Sequence, residues 1–140
     1  MKYDHEILNK KQIENKISKY FSKHNNVLAV YVFGSFNKKR FNEFSDLDLA
    51  IIYSKSVDKF EKFNMKLKFI SELEKLIGRN IDVVDFLNAD LKFKHQILNG
   101  KLIYCTDHQR RVELEKRAIL NYIDMKRFYD RYEKNLGKMF

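Results

Sequence analysis

At 140 residues the chain has room for one hydrophobic core and too little length for two ordinary domains, so a single site is expected. An apolar fraction of 44%, with twelve Phe and eight Tyr, excludes a disordered polar chain. The formal charge of +9, from 28 Lys and Arg against 19 Asp and Glu, favours polyanionic partners (nucleoside triphosphates, nucleic acid, an acidic protein surface) without choosing among them.

Residues Leu8 to His24 place Ile13, Ile17, Tyr20 and Phe21 at helical spacing, predicting an amphipathic first helix that ends at the turn His24-Asn25-Asn26. Val27 to Phe33 is an unbroken β-favouring run, the pattern of a strand covered on both faces, and it stops at Gly34. Asp46 to Tyr53 alternates carboxylate and apolar residues before turning wholly apolar, which predicts a second central strand with an exposed first end. With Ser56 as N-cap, the residues Phe60, Phe63, Leu67, Ile70, Leu73 and Ile77 predict a long helix stopped by Gly78.

Ile81 to Phe86 reads as a third strand, Asn88 as the cap of a short helix to about Leu98, and Asn99-Gly100 as a turn into a brief strand over Leu102 to Cys105. Thr106-Asp107-His108-Gln109 has the form of a capping box, opening a long C-terminal helix at about 107–136. Val112, Glu115, Ile119, Tyr122, Ile123, Tyr129 and Tyr132 trace one face of it, to pack on the domain or to remain as an apolar stripe for a partner. The expected architecture is α+β: one domain over residues 1–140, with a small mixed β-sheet and helices packed largely on one face.

The segment FGSFNKKRFNEFSDLDLA carries the chemistry: a strand, a Gly-Ser turn, ten intervening residues, then Asp-x-Asp opening the next strand. Nucleotidyl transfer requires a triphosphate to be neutralised, and paired divalent ions held by clustered carboxylates are a recurring solution. Because strand side chains alternate, Asp46 and Asp48 project from one face and can share Mg²⁺. Asp82 is the expected third carboxylate, since apolar residues flank it and a buried, unpaired carboxylate is unfavourable without a cation. Asp85 falls on the opposite strand face.

Gly34 removes the side chain that would block close approach of phosphate, and Ser35 can hold the β- and γ-phosphates. Lys38, Lys39 and Arg40 in the following loop are candidates to assist with phosphate charge. No GxxxxGK[ST] or GxGxxG occurs, which argues against a P-loop enzyme and a dinucleotide fold. His5, His24, His95 and His108 lack metal-ligand spacing and suit surface or capping roles. Cys105 has no partner for a disulfide or a zinc site and reads as a small hydrophobe. With no signal-like start and no membrane-length apolar run, a cytoplasmic location without membrane contact is expected.

Gly-Ser, ten residues and Asp-x-Asp match without a gap the motif of the DNA polymerase beta-like nucleotidyltransferase superfamily. The short chain resembles its minimal nucleotidyltransferase (MNT) proteins from the first helix to the last, and GRNIDVVDF resembles the family's third-strand region. The resemblance implies an antitoxin paired with a HEPN-domain ribonuclease toxin in a hetero-oligomer. It also implies transfer of AMP from ATP to a toxin tyrosine, with two Mg²⁺ ions on Asp46, Asp48 and Asp82. Competing readings are a small-molecule nucleotidyltransferase, a non-catalytic contact antitoxin and a basic nucleic-acid-binding module.

Overall fold

The computed structural model describes residues 8–54 and 56–139, without the side chain of Met139. The elements run α1 (Lys10–Phe21), β1 (Val27–Phe33), a 3-10 turn (Gly34–Asn37), β2 (Leu47–Tyr53), α2 (Lys59–Ile77), β3 (Ile81–Asp85), a second 3-10 turn (Phe86–Asn88), α3 (Leu91–Leu98), β4 (Lys101–Cys105) and α4 (His108–Met139). The four strands form one sheet in the order β3-β2-β1-β4. β1 is antiparallel to both β2 and β4, whereas β2 and β3 are parallel. The expected mixed α+β sheet is therefore present.

β1 is buried at all seven positions, as its unbroken apolar run requires of a strand covered on both faces. In β2 only Asp48 escapes full burial. On one face, Val30, Val32, Leu49 and Ile51 pack with Ile13, Ile17 and Phe21 of α1 and Phe69, Leu73 and Ile77 of α2. On the other, Tyr31, Phe33, Ala50 and Ile52 meet Ile97 of α3 and Leu114 and Ala118 of α4. The helices thus divide between the two faces, correcting the expectation that they gather largely on one. Apolar residues on both sides of β1 and β2 demand cover on both sides.

Three helix starts differ from the sequence expectation, each for the same reason: a carboxylate nearer the first turn is the better acceptor for its free N–H groups. Asp58, not Ser56, caps α2, accepting from the backbone N–H of Glu61 at 2.9 Å. Asp90, not Asn88, caps α3, accepting from the Phe93 N–H at 2.8 Å. Asp107 Oδ1 accepts from the Arg110 N–H at 3.0 Å, while the Thr106 hydroxyl donates to the Leu28 carbonyl at 3.2 Å. α1 opens with a capping box of Asn9 and Gln12, and Gly78 ends α2 in the left-handed conformation.

Two predicted apolar faces are turned outward in part. Leu73 and Ile77 are buried as expected, yet Phe60, Phe63 and Leu67 of α2 are exposed. On α4 the buried residues are Leu114 and Ala118, whereas Val112, Ile119, Ile123, Tyr129 and Tyr132 are exposed. The Tyr31 hydroxyl donates to Glu115 Oε2 at 3.2 Å, and that bond helps set which side of α4 faces the sheet. Among the described residues, no helix is long and apolar enough to cross a membrane.

Candidate active site

The site forms where β1 ends beside the start of β2. Antiparallel pairing puts Phe33 opposite Asp48, so the residue after Phe33 must turn away directly over that carboxylate. That residue is Gly34, with φ +73, and a Cβ built on it would lie 2.6 Å from Asp48 Oδ2. Backbone conformation and lack of space therefore both demand glycine. The half-buried Ser35 follows, and the turn is anchored by Phe36, buried and edge-on to Phe41 at 5.0 Å between ring centroids.

On the next strands, Asp48 lies in direct parallel register with Asp82. Asp46 is exposed, one residue ahead of β2, and Asp48 is half-buried. Burial holds the Asp48 carboxyl above the usual carboxylate range, and the neighbouring charges of Asp82 and then Asp46 raise it further. Asp82 and Asp46 thus both lie within electrostatic reach of Asp48. Asp82 is exposed, not buried, so its case as a partner rests on its register with Asp48. Among the described residues, no three acidic, His or Cys side chains are already gathered closely enough to hold a metal ion by themselves.

Asp85 has a different job. It pairs with Lys62 at 3.1 Å and accepts from the Leu87 N–H at 3.1 Å, so a side-chain cation already satisfies it. Lys38, Lys39 and Arg40 are all exposed. Of these, Lys38 lines a cleft of about 530 Å³ beside the turn, together with Phe33, Gly34, Asn37, Gln96, Asn99 and Gly100.

Sequence reasoning missed Arg79. Its Nη1 donates to the carbonyls of Asn42 at 2.6 Å and Ser45 at 2.9 Å, while the guanidinium lies 4.4 Å from the Phe41 ring centre. With the Leu47 N–H donating to the Asn80 carbonyl at 3.0 Å, it ties the loop that delivers Asp46 to the end of α2. The available signal was a lone Arg in a polar turn after a helix.

The histidines take local roles. His24 Nδ1 lies 3.0 Å from the Tyr20 carbonyl, His95 stacks on Tyr122 at 4.1 Å, and His108 Nδ1 faces Arg111 at 3.3 Å. His5 lies outside the described residues.

The family model "Polymerase beta, Nucleotidyltransferase" matches residues 15–109, the stretch containing every candidate site residue. No curated protein matches the chain. Among solved structures, it resembles a chain of a toxin-antitoxin with AMP-PNP at 21% identity and TM-score 0.68, covering 89% of this chain and 98% of that one. It resembles a chain of a tri-AMPylated Shewanella oneidensis HEPN toxin in complex with MNT antitoxin at 21% identity and TM-score 0.65, covering 92% and 99%. It also resembles a chain of the toxin-antitoxin MntA-HepT at 18% identity and TM-score 0.59, covering 91% and 96%. At these identities the likenesses speak for the fold, while the family match spans more than half of the sequence, and on that match the chain belongs to the polymerase beta nucleotidyltransferase family.

Proposed function

We propose that the chain is a Mg²⁺-dependent nucleotidyltransferase serving as the antitoxin of a HEPN ribonuclease toxin, moving AMP from ATP onto a tyrosine hydroxyl of that partner in the cytoplasm. The observation that carries the reading is Gly34 pressed against Asp48, with Asp82 in register beside it. A triphosphate laid along the side-chain-free edge at Gly34 brings its α-phosphate to the carboxylates and leaves its outer phosphates near the Ser35 hydroxyl.

Asp46, Asp48 and Asp82 offer hard oxygen donors; burial first, and then repulsion from Asp82 and Asp46, raise the Asp48 carboxyl, and a cation would relieve both as a proton does. These three residues would hold Mg²⁺, which would supply charge neutralisation of the triphosphate; two ions would fit the reaction class. The acceptor oxygen bonds to the α-phosphorus as the bond from that phosphorus to the α,β-bridging oxygen breaks. Pyrophosphate leaves, and the acceptor's proton passes to Asp82, the solvent-facing carboxylate of the pair.

The partner is recognised through the basic surface and the exposed Ile119, Ile123, Tyr129 and Tyr132 of α4. That same face favours a second reading, neutralisation by contact alone. Co-expression with a HEPN toxin and labelling with ATP carrying a radioactive α-phosphate separates the two. Transfer of label to the toxin, lost together with protection in Asp46→Asn/Asp48→Asn, supports the enzyme; protection that survives this double substitution supports contact.

A further inference from the structure

Burial along α2 is confined to its second half, where Phe69, Leu73 and Ile77 meet the sheet. The first half carries two parallel rows of side chains. Phe60, Phe63 and Leu67 form one and are 74%, 59% and 52% exposed. Lys59, Lys62 and Lys66 form the other, displaced from the first by one residue. Both rows step by three and then four residues, the spacing that aligns side chains into a ridge along a helix. Lys62 pairs with Asp85 at 3.1 Å, whereas Lys59 and Lys66 have no carboxylate partner among the described residues.

The lysine row borders a groove of about 240 Å³ between α2 and the end of β3, with Tyr53, Phe63 and Val83 among its walls. The carboxylate in that groove, Asp85, is already neutralised by Lys62. Other acids on this half of the helix are engaged or turned away. The Asp58 carboxylate accepts from the Glu61 N–H at 2.9 Å, and Glu61, two residues beyond Lys59, lies about 200° around the helix from it. The surface is separate from the carboxylate site, because Tyr53 and Asp85 end the parallel strands that open beside Asp48 and Asp82. It is separate from α4 as well, which packs on the other face of the sheet.

We infer that the first half of α2 is a docking surface for an acidic amphipathic helix of a protein partner, its apolar ridge laid along Phe60, Phe63 and Leu67 and its carboxylates along Lys59 and Lys66. Charge complementarity carries the choice of occupant. Helices pack by setting the side-chain ridges of one beside those of the other, so an apolar row next to a cationic row is matched by an apolar row next to an acidic one. A second copy of this chain fits poorly, since it would add its own three lysines to these three and no unengaged acid. Single-stranded nucleic acid would use the ammonium groups and the phenyl faces, but it leaves Leu67 without a role, because an aliphatic side chain offers no ring for a base to stack on.

The test is fluorescence anisotropy of the full chain with two labelled synthetic helical peptides of about 20 residues, each with a leucine row, one flanked by glutamates and its twin by lysines. Wild type should bind the acidic peptide saturably and the basic one at least about tenfold more weakly. Phe60→Ser/Phe63→Ser should lose about tenfold in affinity for the acidic peptide while keeping its melting temperature, since both rings are exposed. Lys59→Glu/Lys66→Glu should exchange the preference between the two peptides, which a damaged fold cannot mimic. Equal binding of both peptides by wild type, or binding of neither, overturns the proposal, as does an affinity for the acidic peptide that both double variants retain. Self-association in sedimentation equilibrium that Phe60→Ser/Phe63→Ser abolishes would give the face to a second copy. Saturable binding of single-stranded oligouridylate that Lys59→Glu/Lys66→Glu abolishes would give it to RNA, and either result overturns the acidic helix.

Discussion

Asp48 and Asp82 stand directly opposite each other across the parallel β2–β3 pair, two carboxylates in one register with no cationic side chain paired to either among the described residues. Such a pair opposes folding unless something positive intervenes, because like charges on adjacent strands repel. Asp48→Asn should therefore melt at or above the wild-type temperature in metal-free buffer. In the same variant, nucleotidyl transfer should fall on the order of 10²–10³-fold. Thermal melts with and without Mg²⁺, alongside a labelled-ATP assay, check both halves. A marked loss of stability in metal-free buffer contradicts the charge argument.

Gly34→Ala tests the other contact. The new methyl group would meet Asp48 Oδ2 at 2.6 Å, and φ +73 adds about 1–2 kcal/mol of backbone strain for any residue with a Cβ. Since the carboxylate must move to make room, transfer should drop about 10²-fold even where the fold survives. Circular dichroism establishes folding, and steady-state kinetics supplies the outcome. A folded variant with unchanged kcat/KM for ATP sinks the role given to this turn.

The Gly34 turn and its carboxylates were legible in the sequence because they depend on short-range rules. An apolar run halted by Gly-Ser marks a strand end, and the alternating carboxylates mark the start of the next strand, although β2 itself begins at Leu47, one residue past Asp46. Asp82 required a face argument across strands; it lies in register with Asp48, but it is exposed where burial was assumed. Distribution of helices was harder, because periodicity reveals an apolar stripe and not which layer covers it. The exposed Phe60, Phe63 and Leu67 illustrate this, carrying a core-like spacing on the uncovered part of α2. Arg79 was illegible for another reason: its contacts depend on a loop brought against the end of α2 only by the tertiary fold.

Three tyrosines give the fold a defined alkaline limit. Burial pushes Tyr53 up from 10.0 to about 12, helped by the nearby Asp85 charge. Burial also raises Tyr20 and Tyr31, each further by the carboxylate its hydroxyl donates to, Glu72 and Glu115 respectively. A phenol with a higher pKa folded than unfolded contributes its full stability below the unfolded value and loses it as pH climbs toward the folded one. Stability to urea should accordingly fall as pH rises from about 10 to about 12, and Tyr53→Phe should make that fall shallower. Denaturation curves across this window decide it; a slope unaltered in the variant removes Tyr53 from the account.

Arg79 offers a test of positioning without touching the carboxylates. Its two hydrogen bonds to the Asn42 and Ser45 carbonyls hold the loop ahead of Asp46, and burial lowers its guanidinium pKa from the ordinary value although Glu43 nearby opposes the change. Arg79→Gln removes the charged donor, and hydrogen bonds of that kind contribute about 1.5–3 kcal/mol. Because Asp46 lies just beyond the loop while Asp48 sits within β2, the loosened loop displaces one carboxylate and spares the other. The Mg²⁺ concentration for half-maximal transfer should rise by about tenfold, with a smaller change in kcat at saturating metal. Lysine at the same position should recover part of the loss, since an ammonium reaches one carbonyl but cannot bridge both as the planar guanidinium does. A magnesium titration of the three proteins reads this directly, and coincident curves would show that the loop holds Asp46 without Arg79.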